Sequence, residues 1–288
     1  MPELTDIHYV RNIMEKHGFH VSKSLGQNFL INPTVCPRIA ELGNAKPGFG
    51  ILEIGTGVGV LTKELAKRAD KVVAIELDQK LFPILEETLA GFDNIKILHG
   101  DAMQYDLKKL IAEEFQGLQV AVCANLPYYI TSPMIMWLLE EKLTISSITV
   151  MVQKEAAQRI CASVGSRESG AVTVAVAYHG EAMKLFDVSR GSFLPAPNVD
   201  SCVMQIALYP ENPWNIQDED LFFRIVRSGF SQRRKQLAGV LCNTFAIPKS
   251  EISKIFETSG IAPSVRIESL TMPELVQLAN TFANYMSM

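Results

Sequence analysis

Between residues 50 and 153 short, almost wholly apolar runs alternate with longer stretches of helical periodicity. The runs are Ile51–Ile54, Val72–Glu76, Ile95–Leu98, Val120–Ala124 and Val152 back to Ile148, recurring every 20 to 30 residues. The first connecting stretch sets Val58, Leu61, Leu65 and Ala69 on one helical face. Near-continuous apolar strands joined by helices predict repeated βαβ units, hence a parallel sheet covered on both faces. The fold class is α/β, a Rossmann-like sheet.

The pattern changes after Gly165. Ala171–Tyr178 and Val199–Leu208 are rich in β-branched residues, and the second run alternates, with Cys202, Met204, Ile206 and Leu208 on one side. Both are read as antiparallel strands closing the sheet. Tyr209-Pro210-Glu211-Asn212-Pro213 interrupts the pattern, and four helices are predicted beyond it: 218–230, 232–245, 250–259 and 273–286. The expected organisation is therefore an α/β domain over residues 1–208 and a small helical domain over residues 209–288.

Hydrophobic residues make up 48% of the 288 and charged residues 20%, an ordinary globular balance. No apolar run has the length of a membrane span. The opening Met1-Pro2-Glu3-Leu4-Thr5-Asp6 has no basic stretch leading into an apolar one, so no signal peptide is expected. Cys36, Cys123, Cys161, Cys202 and Cys242 are scattered without CxxC spacing. They read as buried thiols of a reducing compartment, with neither zinc site nor disulfide frame, and the cytoplasm is the expected location.

The net charge of −4 argues against a nucleic-acid partner, but it hides a segregation. Residues 221–250 carry six basic side chains (Arg224, Arg227, Arg233, Arg234, Lys235 and Lys249) and no acid, leaving 21 basic against 31 acidic residues elsewhere. Such a stripe is either a phosphate-binding face or a solvated helix face.

The candidate chemistry sits at strand ends. Glu53-Ile54-Gly55-Thr56-Gly57-Val58-Gly59 is a glycine-rich turn into a helix, where Gly55 and Gly57 allow positive φ and close approach of a ligand. Glu76 ends the second strand 21 residues after Gly55, the placement of a carboxylate that holds ribose hydroxyls. Asp101 follows the third strand, able either to accept an adenine amino hydrogen or to cap the next helix. These features indicate a cofactor containing adenosine without separating nicotinamide from methyl-transfer chemistry.

Asn125-Leu126-Pro127-Tyr128-Tyr129, at the end of the fourth strand, makes that separation. It resembles the Asn-x-Pro-Tyr signature of methyltransferases acting on exocyclic amino groups. Adenine N6 is a poor nucleophile because its lone pair is conjugated into the ring. The Asn125 side-chain oxygen and the Leu126 carbonyl can each accept an N6–H, Pro127 can fix that carbonyl, and Tyr128 can stack on the base.

The chain resembles the bacterial small-subunit ribosomal RNA adenine-N6,N6-dimethyltransferases from about Ser22 to Lys235. Ser24-Leu25-Gly26-Gln27-Asn28-Phe29-Leu30 is similar to that family's N-terminal cofactor segment, which implies contacts of Gln27, Asn28 and Leu30 with S-adenosylmethionine. Val152-Gln153-Lys154-Glu155-Ala156-Ala157-Gln158-Arg159 matches the stretch after the fifth strand. Phe193-Leu194-Pro195-Ala196-Pro197-Asn198-Val199-Asp200-Ser201 is similar to the target-base loop, where Phe193 is either a second stacking face opposite Tyr128 or a core phenylalanine. Phe230-Ser231-Gln232-Arg233-Arg234-Lys235 is similar to a basic segment placed at a helix start, implying RNA contacts from Arg227, Arg233, Arg234 and Lys235. The chain departs from the family at Thr56, usually Pro, and at Asn198, often Lys.

The resemblance implies dimethylation of two adjacent adenosines in the 3′-terminal hairpin of 16S ribosomal RNA, within an immature 30S subunit. It also implies S-adenosylmethionine as cofactor, no metal and a monomer. The alternatives are a large-subunit ribosomal RNA methyltransferase conferring macrolide resistance, or a non-catalytic assembly factor on the same scaffold.

Overall fold

The computed structural model describes residues 4–22 and 25–287. Met1, Pro2 and Glu3 of the polar opening, and Ser24 of the cofactor-like segment, lie outside the described residues. Among those described, the strands are β1 (Phe29–Leu30), β2 (Phe49–Ile54), β3 (Lys71–Glu76), β4 (Ile95–His99), β5 (Gln119–Asn125), β6 (Ser147–Gln153), β7 (Gly180–Val188), β8 (Phe193–Leu194) and β9 (Ser201–Leu208). A seven-stranded sheet runs in the order β4-β3-β2-β5-β6-β9-β7, and β1 pairs with β8 apart from it.

The five runs read from the sequence are the parallel strands β2 to β6, and β9 joins β6 antiparallel. All six residues of β2 are buried, as are Val72–Glu76, Val120–Ala124 and Ser147–Val152, which is why these strands lack a polar face. The chain steps outward from β2 through β3 to β4, then returns to β5 on the other flank of β2. Ligands of open α/β sheets bind at the carboxyl ends of strands where the order reverses in this way. The register Ile54↔Ala124 brings Gly55 and Asn125, the next residues of their strands, to the same end of the sheet.

Ala171–Tyr178 is not a strand. It belongs to the helix Ala171–His179, with Val172, Thr173, Val174, Ala175, Val176 and Tyr178 all buried. Burial on all sides removes the amphipathic stripe by which a helix is recognised, and tertiary packing overrides the β preference of three valines. The Thr173 hydroxyl accepts the Gly170 N–H at 2.9 Å and donates to the Arg159 carbonyl at 2.8 Å, anchoring the first turn.

The chain divides into two compact units, residues 1–157 with 182–208 and residues 158–181 with 209–288. Residues 158–181 thus group with the helical unit, whereas the sequence reading placed them in the first domain. Tyr178 provides the reason: its ring lies 5.6 Å from Phe222 and 5.1 Å from Phe223 between centroids, inside the second unit's core. The helices after residue 208 are Glu219–Ser231, Leu237–Phe245, Lys249–Thr258 and Met272–Met286. Among the described residues no helix is long and apolar enough to cross a membrane.

Glu53, in the middle of the sheet, is fully buried, and neither carboxyl oxygen has a hydrogen-bond partner among the described residues. Burial, opposed by the neighbouring Thr62 hydroxyl and aided by the Glu76 charge, pushes its carboxyl from an ordinary 4.5 up to about 8. Below pH 4.5 the group is neutral whether the chain is folded or not. From there to about 8 the unfolded chain ionises it and the fold resists, so stability falls across that window. Glu53→Gln is expected to lose less stability than the wild type between pH 5 and pH 8, measured by urea unfolding. Equal losses in both proteins would assign the pH dependence to other groups.

Candidate active site

The turn after β2 carries Gly55 at φ +79° and Gly57 at φ +56°, left-handed values that a side chain resists. This bends the backbone back so that its amides converge on Glu76 at the end of β3. One Glu76 oxygen accepts the Thr56 N–H at 2.9 Å, the Thr56 hydroxyl at 3.0 Å and the Gly57 N–H at 3.1 Å. The other accepts the Asp78 N–H at 2.8 Å. Glu76 is 6% exposed and lines a cavity at this end of the sheet.

Thr56 was read from the sequence only as a departure from the family's Pro, yet it donates two of these bonds. A proline there has neither N–H nor hydroxyl to offer. The signal was available: a hydroxyl residue inside a glycine turn, beside a strand that ends in a carboxylate.

The segment before β1 forms another wall. Gln27 donates to the Asp78 carboxylate at 2.8 Å and accepts the Ser22 N–H at 2.8 Å, so its amide is spent on holding the segment against the turn after β3. Asn28 donates to the Gly26 carbonyl at 3.0 Å, while its own carbonyl accepts from the Asn125 amide at 3.5 Å. That bond uses the Asn125 nitrogen and leaves the side-chain oxygen without a described partner, the atom an N6–H acceptor requires. Leu30 is 4% exposed and pairs with Phe193 across β1 and β8.

Asn125 ends β5. The Leu126 side chain is buried and its N–H donates to the Met151 carbonyl at 3.3 Å. Pro127, at φ −56° and ψ 134°, leads into a tight turn over Tyr128–Ile130. Tyr128 is partly buried, and its hydroxyl lies 2.8 Å from that of Ser201. Burial raises the phenol above its usual range, outweighing the opposite effect of Ser201 with a smaller contribution from the Asp200 charge, so it stays neutral. Asp101 accepts the Met103 N–H at 3.0 Å and so caps the short turn Ala102–Gln104 while lining the cavity. Phe193 is both core and cavity wall, 3% exposed. The cavity therefore gathers Gln27, Asn28 and Leu30, Gly55 and Gly57, Glu76, Asp101, Asn125 through Tyr128, and Phe193.

The basic segment belongs to the second unit. Arg233, Arg234 and Lys235 lie in the turn after the helix Glu219–Ser231, where the sequence reading had a helix start. Gln232 leaves helical geometry at φ −125°, and the Lys235 N–H closes the turn on its carbonyl at 2.8 Å. Arg233 is engaged within the unit, with Glu268 at 3.1 Å and with the Arg167 carbonyl. Arg227, Arg234 and Lys235 are exposed.

A family model described as ribosomal RNA adenine dimethylase matches residues 18–284. The ribosomal RNA small subunit methyltransferase A of Geobacillus sp. strain WCH70 is 43% identical, with 94% of each chain covered. That of Oceanobacillus iheyensis is 42% identical over 96% of this chain and 95% of the relative. Among solved structures, a dimethyladenosine transferase from Plasmodium falciparum superposes with a TM-score of 0.74 at 25% identity, covering 89% of this chain and 98% of that one. The 23S rRNA methyltransferase ErmE superposes with a TM-score of 0.68 at 26% identity, covering 89% and 100%.

Calorimetry with S-adenosylmethionine tests the carboxylate clasp. Glu76→Ala is expected to weaken binding by about 1.5–3 kcal/mol, roughly ten- to a hundredfold. Thr56→Ala loses one hydroxyl donor and keeps its amide, so its effect should stay below about tenfold. Unchanged affinity in Glu76→Ala would remove this strand end from the binding site.

Proposed function

Because the chain belongs to the ribosomal RNA adenine dimethylase family, we propose that it dimethylates N6 of two adjacent adenosines near the 3′ end of 16S ribosomal RNA, with S-adenosylmethionine as methyl donor. The observation that carries the reading is the convergence, in one cavity at the strand-order reversal, of the Glu76 clasp with Asn125-Leu126-Pro127-Tyr128. Relatives named for the small subunit, at 42–43% identity over nearly the whole chain, favour that RNA over the large-subunit target of ErmE at 26%. A purely structural assembly factor would have no need of the amino-group motif, which is complete here.

The cavity suits the cofactor on its own geometry. A Cβ added at Gly55 would meet nothing within 4 Å, so the turn has open space over it. In our reading Glu76 receives the ribose hydroxyls, Asp101 the adenine amino group, and Gly55, Gly57, Asn28 and Leu30 complete the walls, while Gln27 holds its segment in place. The bound cofactor supplies a methyl group already activated on a sulfonium, so the chain needs neither a nucleophile of its own nor a metal.

The protein's part is to present the adenine. Tyr128 and Phe193 bracket the extruded base, as stacking side chains do for flipped or single-stranded bases. Asn125 Oδ1 and the Leu126 carbonyl accept the two N6–H groups, turning the nitrogen lone pair out of the ring plane, and Pro127 fixes the carbonyl. Water takes the released proton. Monomethyladenine has one N–H left, so the second transfer relies on a single acceptor. The exposed Arg227, Arg234 and Lys235 meet RNA phosphates, which position a substrate without reading its sequence. The physiological substrate in this reading is an immature 30S subunit, bound by a monomer.

Radiolabelled methyl transfer to 16S against 23S RNA fragments tests the substrate; preferential labelling of the 23S fragment would reverse the assignment. Asn125→Ala should remain folded and bind RNA while methyl transfer falls by about a hundredfold or more. Mass spectrometry of the product should show monomethyl- and dimethyladenosine reduced unequally, and wild-type yields of both would sink the acceptor role.

The paired substitution Arg234→Ala/Lys235→Ala should weaken RNA binding and flatten its dependence on salt, since fewer counterions are then released. Binding curves that match wild type at every salt concentration would leave the stripe a solvated surface.

A further inference from the structure

Ser201 is the first residue of β9, fully buried, in register with Gln153 of β6. Packing alone would be served by alanine at such a position. The hydroxyl instead lies 2.8 Å from that of Tyr128. Its mounting is rigid. The preceding Asp200 accepts the Lys154 N–H on its carbonyl at 3.0 Å and the Arg190 N–H on its carboxylate at 2.9 Å. The contact therefore joins the amino-group motif after β5 to the strand that follows the target-base loop.

A tyrosine ring pivots on two side-chain torsions, and only its far end can be pinned by a hydrogen bond. Without a pin, the ring must be ordered each time a base arrives, and that ordering counts against the reaction. With the hydroxyl held, the stacking face is set before the adenine enters. Either hydroxyl can donate to the other, so the contact can form in both directions.

We propose that Ser201 is a positioning residue for methyl transfer, holding the Tyr128 ring in its base-stacking orientation through the hydroxyl–hydroxyl bond. This rests on the reading of Tyr128 as the base platform. It adds a requirement at a residue that the sequence presents only as the end of the target-base loop.

The test uses single-turnover methyl transfer from labelled S-adenosylmethionine to a 16S RNA fragment that the wild-type protein methylates. Failure of the wild type to label that fragment would count against the proposed function itself. With an active wild type, Ser201→Ala should slow transfer roughly two- to tenfold, the cost of ordering one side chain. Cofactor affinity and the RNA dissociation constant should stay unchanged. Ser201→Thr, which keeps the hydroxyl, should recover most of the rate. Tyr128→Phe keeps the ring, removes the other end of the bond and should reproduce the Ser201→Ala rate. The double variant should be no slower than either single one, because both remove the same interaction. A wild-type rate in Ser201→Ala, or losses that multiply in the double variant, overturns the proposal. Should Ser201→Ala fold poorly, Tyr128→Phe decides alone: a wild-type rate there overturns it equally.

Discussion

The Glu76 carboxylate, taking four donors from two neighbouring strand connections, is the constraint on which the site depends. A left-handed glycine turn has little reason to hold its shape by itself, and an ionised carboxylate at a strand end is costly to bury without partners. Each resolves the difficulty of the other. The turn's amides gain a strong acceptor, and the carboxylate gains hydrogen bonds in a nearly closed position. The same turn after β3 also receives Gln27, so the N-terminal segment and the glycine turn are indexed to one short stretch of chain.

Buried charge has a different character at Glu53, one strand away. Its carboxyl has no backbone donors among the described residues, and burial favours its neutral form. The two glutamates differ in their local supply of N–H groups, three for Glu76 and none for Glu53. The glycine turn directs its amides toward Glu76, past the end of the sheet, and β2 commits its own to β3 and β5.

Much of the first unit was legible because its physics is periodic. Strands buried on both faces leave apolar runs, and the residues just beyond them fall at one end of the sheet whatever the details. Asn125, Glu76 and Asp101 could be placed by that rule. The rule fails where burial erases period. Ala171–His179 has no polar face to mark it as a helix, and its valines pointed to a strand. Side-chain partnerships are also beyond periodicity. Nothing along the chain pairs Gln27 with Asp78, or Tyr128 with Ser201, since each depends on how separate segments meet in space. Arg233 is the converse case: the sequence offers a cation among cations, and the structure spends it on Glu268.

The composition of the second unit from two separated stretches has a consequence for how the protein comes to exist. Residues 158–181 are synthesised before residues 209–288, and most of the helix they contribute is buried. Until Phe222 and Phe223 are made, Tyr178 lacks the rings it packs against. A chain released after residue 208 therefore displays a sticky, unfinished segment, the kind of surface that chaperones hold and aggregates recruit. The same arithmetic warns against cutting the protein at that point. A fragment beginning at residue 209 lacks part of its own core, and one ending there carries an orphaned helix.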